Sequence, residues 1–330
     1  MKRILTISAL LLALLPAVAQ VNFIVKGKAH PEAKMLQVGD MSGMTQPETV
    51  AVVDGRFEIR GSKPEQTFMV VLDREHRMQS FFIVDGADSP VAIELDMNTD
   101  EATGSKLNER LSGLIRQMNT VKSDEEMTAL MKQAVDDNKD NVVGAFAFSQ
   151  LVYVLDYAQL KAYVDSGDAF LQFPICERAK QQVKAMELRA PGTMFKDVVE
   201  KDTTGVAHRL SEYVGHGQYV LVDFWASWCG PCMQEMPNVK QNYDKYKGEG
   251  FLVVGLSFDR SADAWKRAIR EKQLDWIHLS DLKFWQTIAA ETYGIHSIPS
   301  SILVDPKGTI IAVDLRGPKL GQKLQEIYGF

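Results

Sequence analysis

Hydrophobic positions alternate with polar ones in short bursts through the first hundred residues, and the period then changes twice. Between residues 20 and 103, FIVKGKA, KMLQVGD, TVAVV, RFEIRGS, TFMVVLD, SFFIVD and PVAIELD are rich in Val, Ile and Phe, and Gly, Pro, Asp and Asn separate them. Side chains along a strand point to alternate faces, so these runs predict short strands with a buried face. Val53-Asp54-Gly55-Arg56 predicts a tight hairpin, because Asp-Gly accepts the positive φ angles of a type I′ turn. The regular spacing predicts an antiparallel, sandwich-like β domain over 20–103.

From 104 to 189 the period is helical. Leu107, Leu111, Leu114, Ile115 and Met118 fall on one helix face. Ser123 with Glu126 three residues later has the form of a capping box. VVGAFAFSQLVYVL predicts a buried helix and CERAKQQVKAMEL another, so this stretch is expected as a helical bridge. Ala190-Pro191-Gly192 then punctuates the chain. Over 190–330 the apolar runs YVLVDFWA and FLVVGLSF predict strands. PCMQEMPNVKQNYDKYK, SADAWKRAIREKQL (capped by Ser261) and FWQTIAAETYG predict helices, and SSILVDPKGTIIAVDL a closing strand pair. That alternation predicts an α/β fold, a mixed sheet with helices packed on it.

The amino terminus changes the reading of the rest. Lys2 and Arg3 precede an apolar stretch over 4–15 that is too short for an ordinary membrane span, and Ala17-Val18-Ala19 has the small residues of a cleavage site. Residues 1–19 read as a secretory signal peptide, cut before Gln20, with an uncleaved anchor as the lesser alternative. The mature chain is expected in the periplasm, where disulfides persist. Yet three cysteines in 330 residues make no disulfide framework, and with 45% hydrophobic residues the chain can build its cores without one. A net charge of -6 and the lack of a basic stripe give no electrostatic case for nucleic-acid binding.

Two of the three cysteines stand together in Cys229-Gly230-Pro231-Cys232, between an apolar strand and a helix. A structural disulfide, half a metal site and a redox pair are the three readings. The ring closed by so short a crosslink gives little loop entropy. Zinc commonly takes a second pair or well-spaced histidines, whereas His208 and His216 stand at no familiar spacing and Cys176 lies in another region, so no metal set is expected. A cysteine at a helix N-terminus meets unpaired N–H groups and the positive end of the helix dipole, which favour its thiolate. Cys229 is therefore the expected nucleophile, and Cys232, one turn into the helix, the resolving thiol. Exchange also moves protons. Asp223, mid-strand among apolar neighbours, is expected to be buried, with a raised pKa, and to relay a proton to or from Cys232. Glu235, one turn after Cys232, is a second acid–base candidate. Cys176 sits in the apolar Phe173-Pro174-Ile175-Cys176 and is expected to be buried rather than bridged to another chain.

DFWASWCGPC resembles the signature of thioredoxins, and the region 190–330 is similar to the exported TlpA/ResA-like thiol–disulfide oxidoreductases. The resemblance rests also on Glu235, on Pro237 where the thioredoxin helix is kinked, on Gly294-Ile295-His296-Ser297-Ile298-Pro299, on DWIHLSDLKFW and on ILVDPKGTIIAVDLRG. It implies a thioredoxin fold and a cis peptide before Pro299. It also implies a substrate surface made by Trp228, Gly230, Pro231, Ile298 and Pro299, with the Ile298 backbone pairing an extended client. The family commonly has Thr after the cis-proline; this chain has Ser300. The β region resembles, more loosely, the domains that precede thioredoxin modules in exported Bacteroidetes proteins. No cofactor is expected beyond the redox-active disulfide Cys229–Cys232. The expected partners are protein disulfide substrates and a membrane thiol reductant. Reduction of client disulfides is the expected direction, with an isomerase or oxidase, or a docking protein serving one client, as alternatives. A peroxiredoxin-type peroxidase is discounted, because its cysteine follows a Thr three residues earlier, where Ala226 stands here.

Overall fold

The computed structural model describes residues 20–41, 46–86 and 90–330, so the leader expected at 1–19 lies outside the described residues. The chain divides into two compact units. The first comprises residues up to Leu155 with Ala162–Ala179, and the second Asp156–Lys161 with Lys180–Phe330.

The first unit holds two four-stranded sheets. Its strands are β1 (Gln20–Lys28), β2 (Met35–Asp40), β3 (Glu48–Ala51), β4 (Arg56–Pro64), β5 (Thr67–Asp73), β6 (Met78–Val84), β7 (Val91–Asp96) and β8 (Glu101–Thr103). One sheet runs β4-β1-β7-β8 and the other β3-β2-β5-β6. Strict alternation buries Val21, Phe23 and Val25 of β1, and the shared core includes Leu36, Val71, Phe82 and Ile93. Asp54 and Gly55 take φ of 50° and 68°, closing the predicted hairpin beneath a Val53–Arg56 bridge. Gly27 has no room for a side chain, since a Cβ there would lie 2.0 Å from the Phe57 ring. The expectation of a wholly antiparallel domain needs one correction: β1 and β7 pair in parallel. Parallel neighbours need a crossover connection, and the second sheet, β2, β5 and β6 included, is built within it.

Helices α1 (Lys106–Met118), α2 (Asp124–Asp136), α3 (Val142–Leu151), α4 (Tyr157–Asp165) and α5 (Glu177–Glu187) follow. Helices α1, α2 and α3 lie in the first unit, and the residues of α4 and α5 are divided between the two. Within the first unit, Asn108 of α1 clasps the Ile83 backbone with two 2.8 Å bonds, and Ser112 does the same at Ala102. Ser123 caps α2 as expected, whereas Glu126 reaches Lys122 N, one residue before the cap. The apolar run at 142–155 is helical only to Leu151, and Tyr153 and Val154 are exposed, so it is shorter than its hydrophobicity suggests. Cys176 is buried, and its thiol donates to Phe170 O.

The strands of the second unit start with the hairpin β9 (Val199–Lys201) and β10 (Ala207–Arg209). Its five-stranded sheet is formed by β11 (Val220–Trp225), β12 (Leu252–Ser257), β13 (Ile277–Leu279), β14 (Ser300–Val304) and β15 (Ile310–Val313), in the order β13-β12-β11-β14-β15. β11 pairs β12 in parallel and β14 in antiparallel fashion. All six residues of β11 are buried, as a central strand covered on both faces requires. The helices are α6 (Gly230–Tyr246), α7 (Ala262–Lys272), α8 (Ile288–Tyr293) and α9 (Pro318–Tyr328). The expected helix over FWQTIAAETYG is broken. Phe284–Gln286 form a short tight turn, and Thr287, in an extended conformation, starts α8 afresh with its side chain on Ala289 N.

Candidate active site

The central strand β11 delivers the chain to a loop, Ala226–Trp228, and then to the first turn of α6. Cys229 is the N-cap of that helix, and its sulfur accepts from Cys232 N at 3.2 Å. Pro231 occupies the first turn, where a missing N–H forfeits no helix bond. Cys229 and Cys232 are joined in a disulfide. Both are buried, Cys229 at 4% exposure and Cys232 at 1%, while Trp228, Gly230 and Pro231 around them are exposed. That rim is the exposed part of the disulfide turn, and Cys229 is the less buried of its two cysteines.

The loop is held from below. Asp259, itself buried, accepts from Ser227 N at 2.9 Å, Ser227 Oγ at 2.5 Å and Ser257 Oγ at 2.8 Å. Trp228 donates to Phe258 O, and its ring packs on Phe284 and Trp285 with centroids 5.0 and 6.2 Å away. Arg260 lies over the Phe284 ring at 3.9 Å. Residues 284 and 285 are the segment expected as helix, and their break turns an aromatic pair toward Trp228.

Asp223 stands mid-strand in β11, 5% exposed, with Oδ2 lacking a hydrogen-bond partner. Burial first, and then the Glu235 carboxylate, push its pKa up to about 7, while Arg316 pulls the other way. Asp223, Glu235, Pro299, Ser301 and Arg316 line one cavity of about 10 Å³, room for roughly one water. Glu235 Oε1 accepts from Asn238 Nδ2 at 2.6 Å and from Gly317 N at 2.9 Å, which fixes its carboxylate at the cavity wall. The Ile298–Pro299 peptide bond is cis, and Arg316 donates to Pro299 O. Ser300 donates to Asp314 at 2.6 Å, so its hydroxyl turns into the unit.

Of the residues singled out by sequence, the fold thus gathers Asp223, Glu235 and Pro299 at one cavity. Cys229 and Cys232 sit on the helix turn that precedes Glu235, and Ile298 is half-buried beside Pro299. Sequence reasoning missed Asp259, Arg316, Phe284 and Trp285. Asp259 carried no signal, being one acid just after a strand. Arg316 lay within the quoted VDLRG, and Phe284 and Trp285 stood as adjacent aromatics at the end of DWIHLSDLKFW. It also passed over Glu200, whose carboxyl is driven up to about 8 by burial despite a 2.8 Å bond from Thr287 Oγ1.

A sequence profile described as the AhpC/TSA family matches residues 191–313. The thiol-disulfide oxidoreductase ResA of Bacillus thuringiensis subsp. konkukian is 32% identical over 140 residues, covering 41% of this chain and 75% of the relative. The chain belongs to the ResA family of thiol-disulfide oxidoreductases. ResA of Bacillus subtilis is 25% identical over 122 residues, 37% of this chain and 65% of its own. Among solved structures, the thioredoxin domain of a thiol-disulfide oxidoreductase from Bacteroides vulgatus is 35% identical, with 42% of this chain and 97% of that one aligned at a TM-score of 0.39. The protein is a thiol–disulfide oxidoreductase, and the ResA-like part is a thioredoxin-like fold within its second unit.

Proposed function

We propose that Cys229 and Cys232 are the redox couple and that the protein reduces disulfides of exported client proteins. The observation that carries this reading is the disulfide at the first turn of α6, fed by a strand that buries Asp223 with a carboxyl oxygen unpaired. In the reduced enzyme the Cys229 thiolate, favoured by the helix N-terminus, attacks one sulfur of the client disulfide. That S–S bond breaks and a mixed disulfide forms. The Cys232 thiolate then attacks Cys229 Sγ, closing the enzyme disulfide and releasing the second client sulfur as a thiolate. Two electrons pass from enzyme to client, and each departing client thiolate takes up a proton. Asp223, with a pKa matched to neutral pH, serves Cys232 as the group that accepts its proton. Glu235 adjusts that acid by charge. Trp228, Gly230, Pro231, Ile298 and Pro299 form the client surface. A membrane-held dithiol donor restores the reduced state.

The leader supports a periplasmic site of action; among the described residues no helix is long and apolar enough to cross a membrane. The AhpC/TSA profile also invites a peroxidase reading, but Ala226-Ser227-Trp228 before Cys229 does not offer the threonine a peroxidatic cysteine uses. The deciding experiment is the reduction potential of the Cys229–Cys232 couple, by equilibration against glutathione and dithiothreitol buffers. A value near about -270 mV, that of thioredoxin, supports the reductase. A value near about -120 mV, that of DsbA, overturns the direction and makes the protein an oxidase. The gap of about 150 mV is roughly 7 kcal/mol for two electrons, so the outcome is unambiguous.

A further inference from the structure

A second set of chemistry-bearing side chains lies in the first unit. His30 and Glu32 belong to the connection that leaves β1 in one sheet for β2 in the other. His76 belongs to the β5–β6 turn of the second sheet. One ligand atom from each of the three lies within 4.8 Å of the others. The two imidazoles stack, with centroids 4.0 Å apart and planes 21° from parallel.

Their hydrogen bonds set which lone pair each ring can offer. His76 Nδ1 meets Asp73 Oδ2 at 2.8 Å. A carboxylate only accepts, so Nδ1 is the donor, and in the neutral ring Nε2 presents its lone pair. Asp73 is 2% exposed, and its other oxygen accepts from Glu75 N and His76 N, so this orienting carboxylate is rigidly held. His30 Nδ1 accepts from Glu32 N at 3.3 Å, so this ring ligates by giving up that long bond, through Nδ1 itself or through Nε2 after a change of tautomer. A buried carboxylate fixing the tautomer of a histidine whose far nitrogen is open is the usual support of a metal-bound imidazole.

We propose that His30, Glu32 and His76 bind a divalent transition-metal ion of the zinc class, with Asp73 as the positioning residue behind His76. Two imidazoles and one carboxylate are a donor set that such ions take, leaving a position for water. Zinc–ligand bonds of about 2.0–2.1 Å in a tetrahedron put ligand atoms about 3.3 Å apart. With His76 held by Asp73, the set therefore closes on the ion by rotation of the half-buried His30 ring and the exposed Glu32 side chain. The bound ion would tie the β1–β2 connection to the β5–β6 turn, and so one sheet to the other. Sequence spacing hides such a site, because its third ligand follows 44 residues after the second.

The test is isothermal titration of Zn²⁺ into the oxidised full chain, in which the Cys229–Cys232 disulfide offers no thiolate. One saturable equivalent is expected. Glu32→Gln, at an exposed position, and His76→Gln should each weaken binding at least about tenfold, and Asp73→Asn about 10–100-fold. His208→Gln is the control, because both its ring nitrogens already face carboxylates, Glu212 at 2.8 Å and Asp202 at 3.5 Å; it should bind as wild type. Absence of saturable binding, or an equivalent that Glu32→Gln and His76→Gln leave unchanged, overturns the proposal and leaves the cluster as a turn clip. Because the site lies outside the second unit, either result stands apart from the redox potential of the disulfide.

Discussion

Asp73 in the first unit and Asp223 in the second are almost equally hidden, at 2% and 5% exposure, yet burial leaves them in opposite states. Burial alone would raise both. At Asp73 it is outweighed by bonds from His76 and Glu75, and the carboxyl is held below the ordinary range. At Asp223 one oxygen has no partner and Glu235 adds a like charge, so the carboxyl rises to about 7. Hydrogen bonding to the charged form, set against the desolvation each carboxyl suffers, separates an acid held ionised from one that keeps its proton to neutral pH. In the first unit Asp73, Asn108 and Ser112 are buried polar groups used in that structural way, whereas Asp223 of the second keeps a carboxyl oxygen without a partner.

The contrast breaks most sharply at the disulfide itself. Cys229→Ser should abolish turnover of a small disulfide substrate while leaving the melting curve close to wild type; retained turnover would remove the couple from the chemistry. Next comes Asp223→Asn, expected to slow exchange about 10²-fold at neutral pH and to erase a titration near pH 7 from the rate profile. Its stability effect has a definite sign. A carboxyl that is protonated to about pH 7 when folded, but only to 3.8 when unfolded, destabilises the fold progressively as pH rises between those values, and the loss is complete above about 7. At about 1.36 kcal/mol per pH unit that gap is worth at most about 4 kcal/mol, so Asp223→Asn should be more stable than wild type at pH 8 and lose the advantage at pH 4 in denaturant titrations.

In the first unit the expectation reverses. Asn108→Ala strips two bonds from the buried Ile83 backbone and should cost about 2–4 kcal/mol in unfolding, with small-disulfide turnover unchanged in the folded protein. A loss of turnover there would show that the two units do not divide stability from chemistry. The smallest effects sharpen the Asp223 side. Glu235→Gln removes a like charge and should move the rate midpoint to lower pH. Arg316→Gln removes the opposing charge and should move it higher. Equal profiles in both variants would exclude Asp223 as the titrating group.

Much of this was written in local pattern. Period-two alternation placed the first seven strands, and Asp54-Gly55 its hairpin, because these depend on a residue and its near neighbours. The same holds for Cys229 at the start of α6, where a strand, a loop and a proline in the first turn are contiguous in sequence. Local pattern failed where distant partners intervened. The apolar run after Leu151 leaves the helix with Tyr153 and Val154 in solvent, and Thr287, bonded to Glu200, divides what reads as one helix.

The amino-acid sequence by itself determined the alternation of strands and helices, the position of the cysteine pair at a helix start and the apolar setting of Asp223. Each follows from short-range sterics and periodicity, so a linear reading reaches it. Only the tertiary structure decided that β1 and β7 run parallel, that Arg316 and Glu235 set opposing charges around Asp223, and that Asp259 holds the loop before Cys229. It also set His76 beside His30. These are meetings of residues far apart along the chain, made by the packing of whole sheets and helices, and no local preference encodes them.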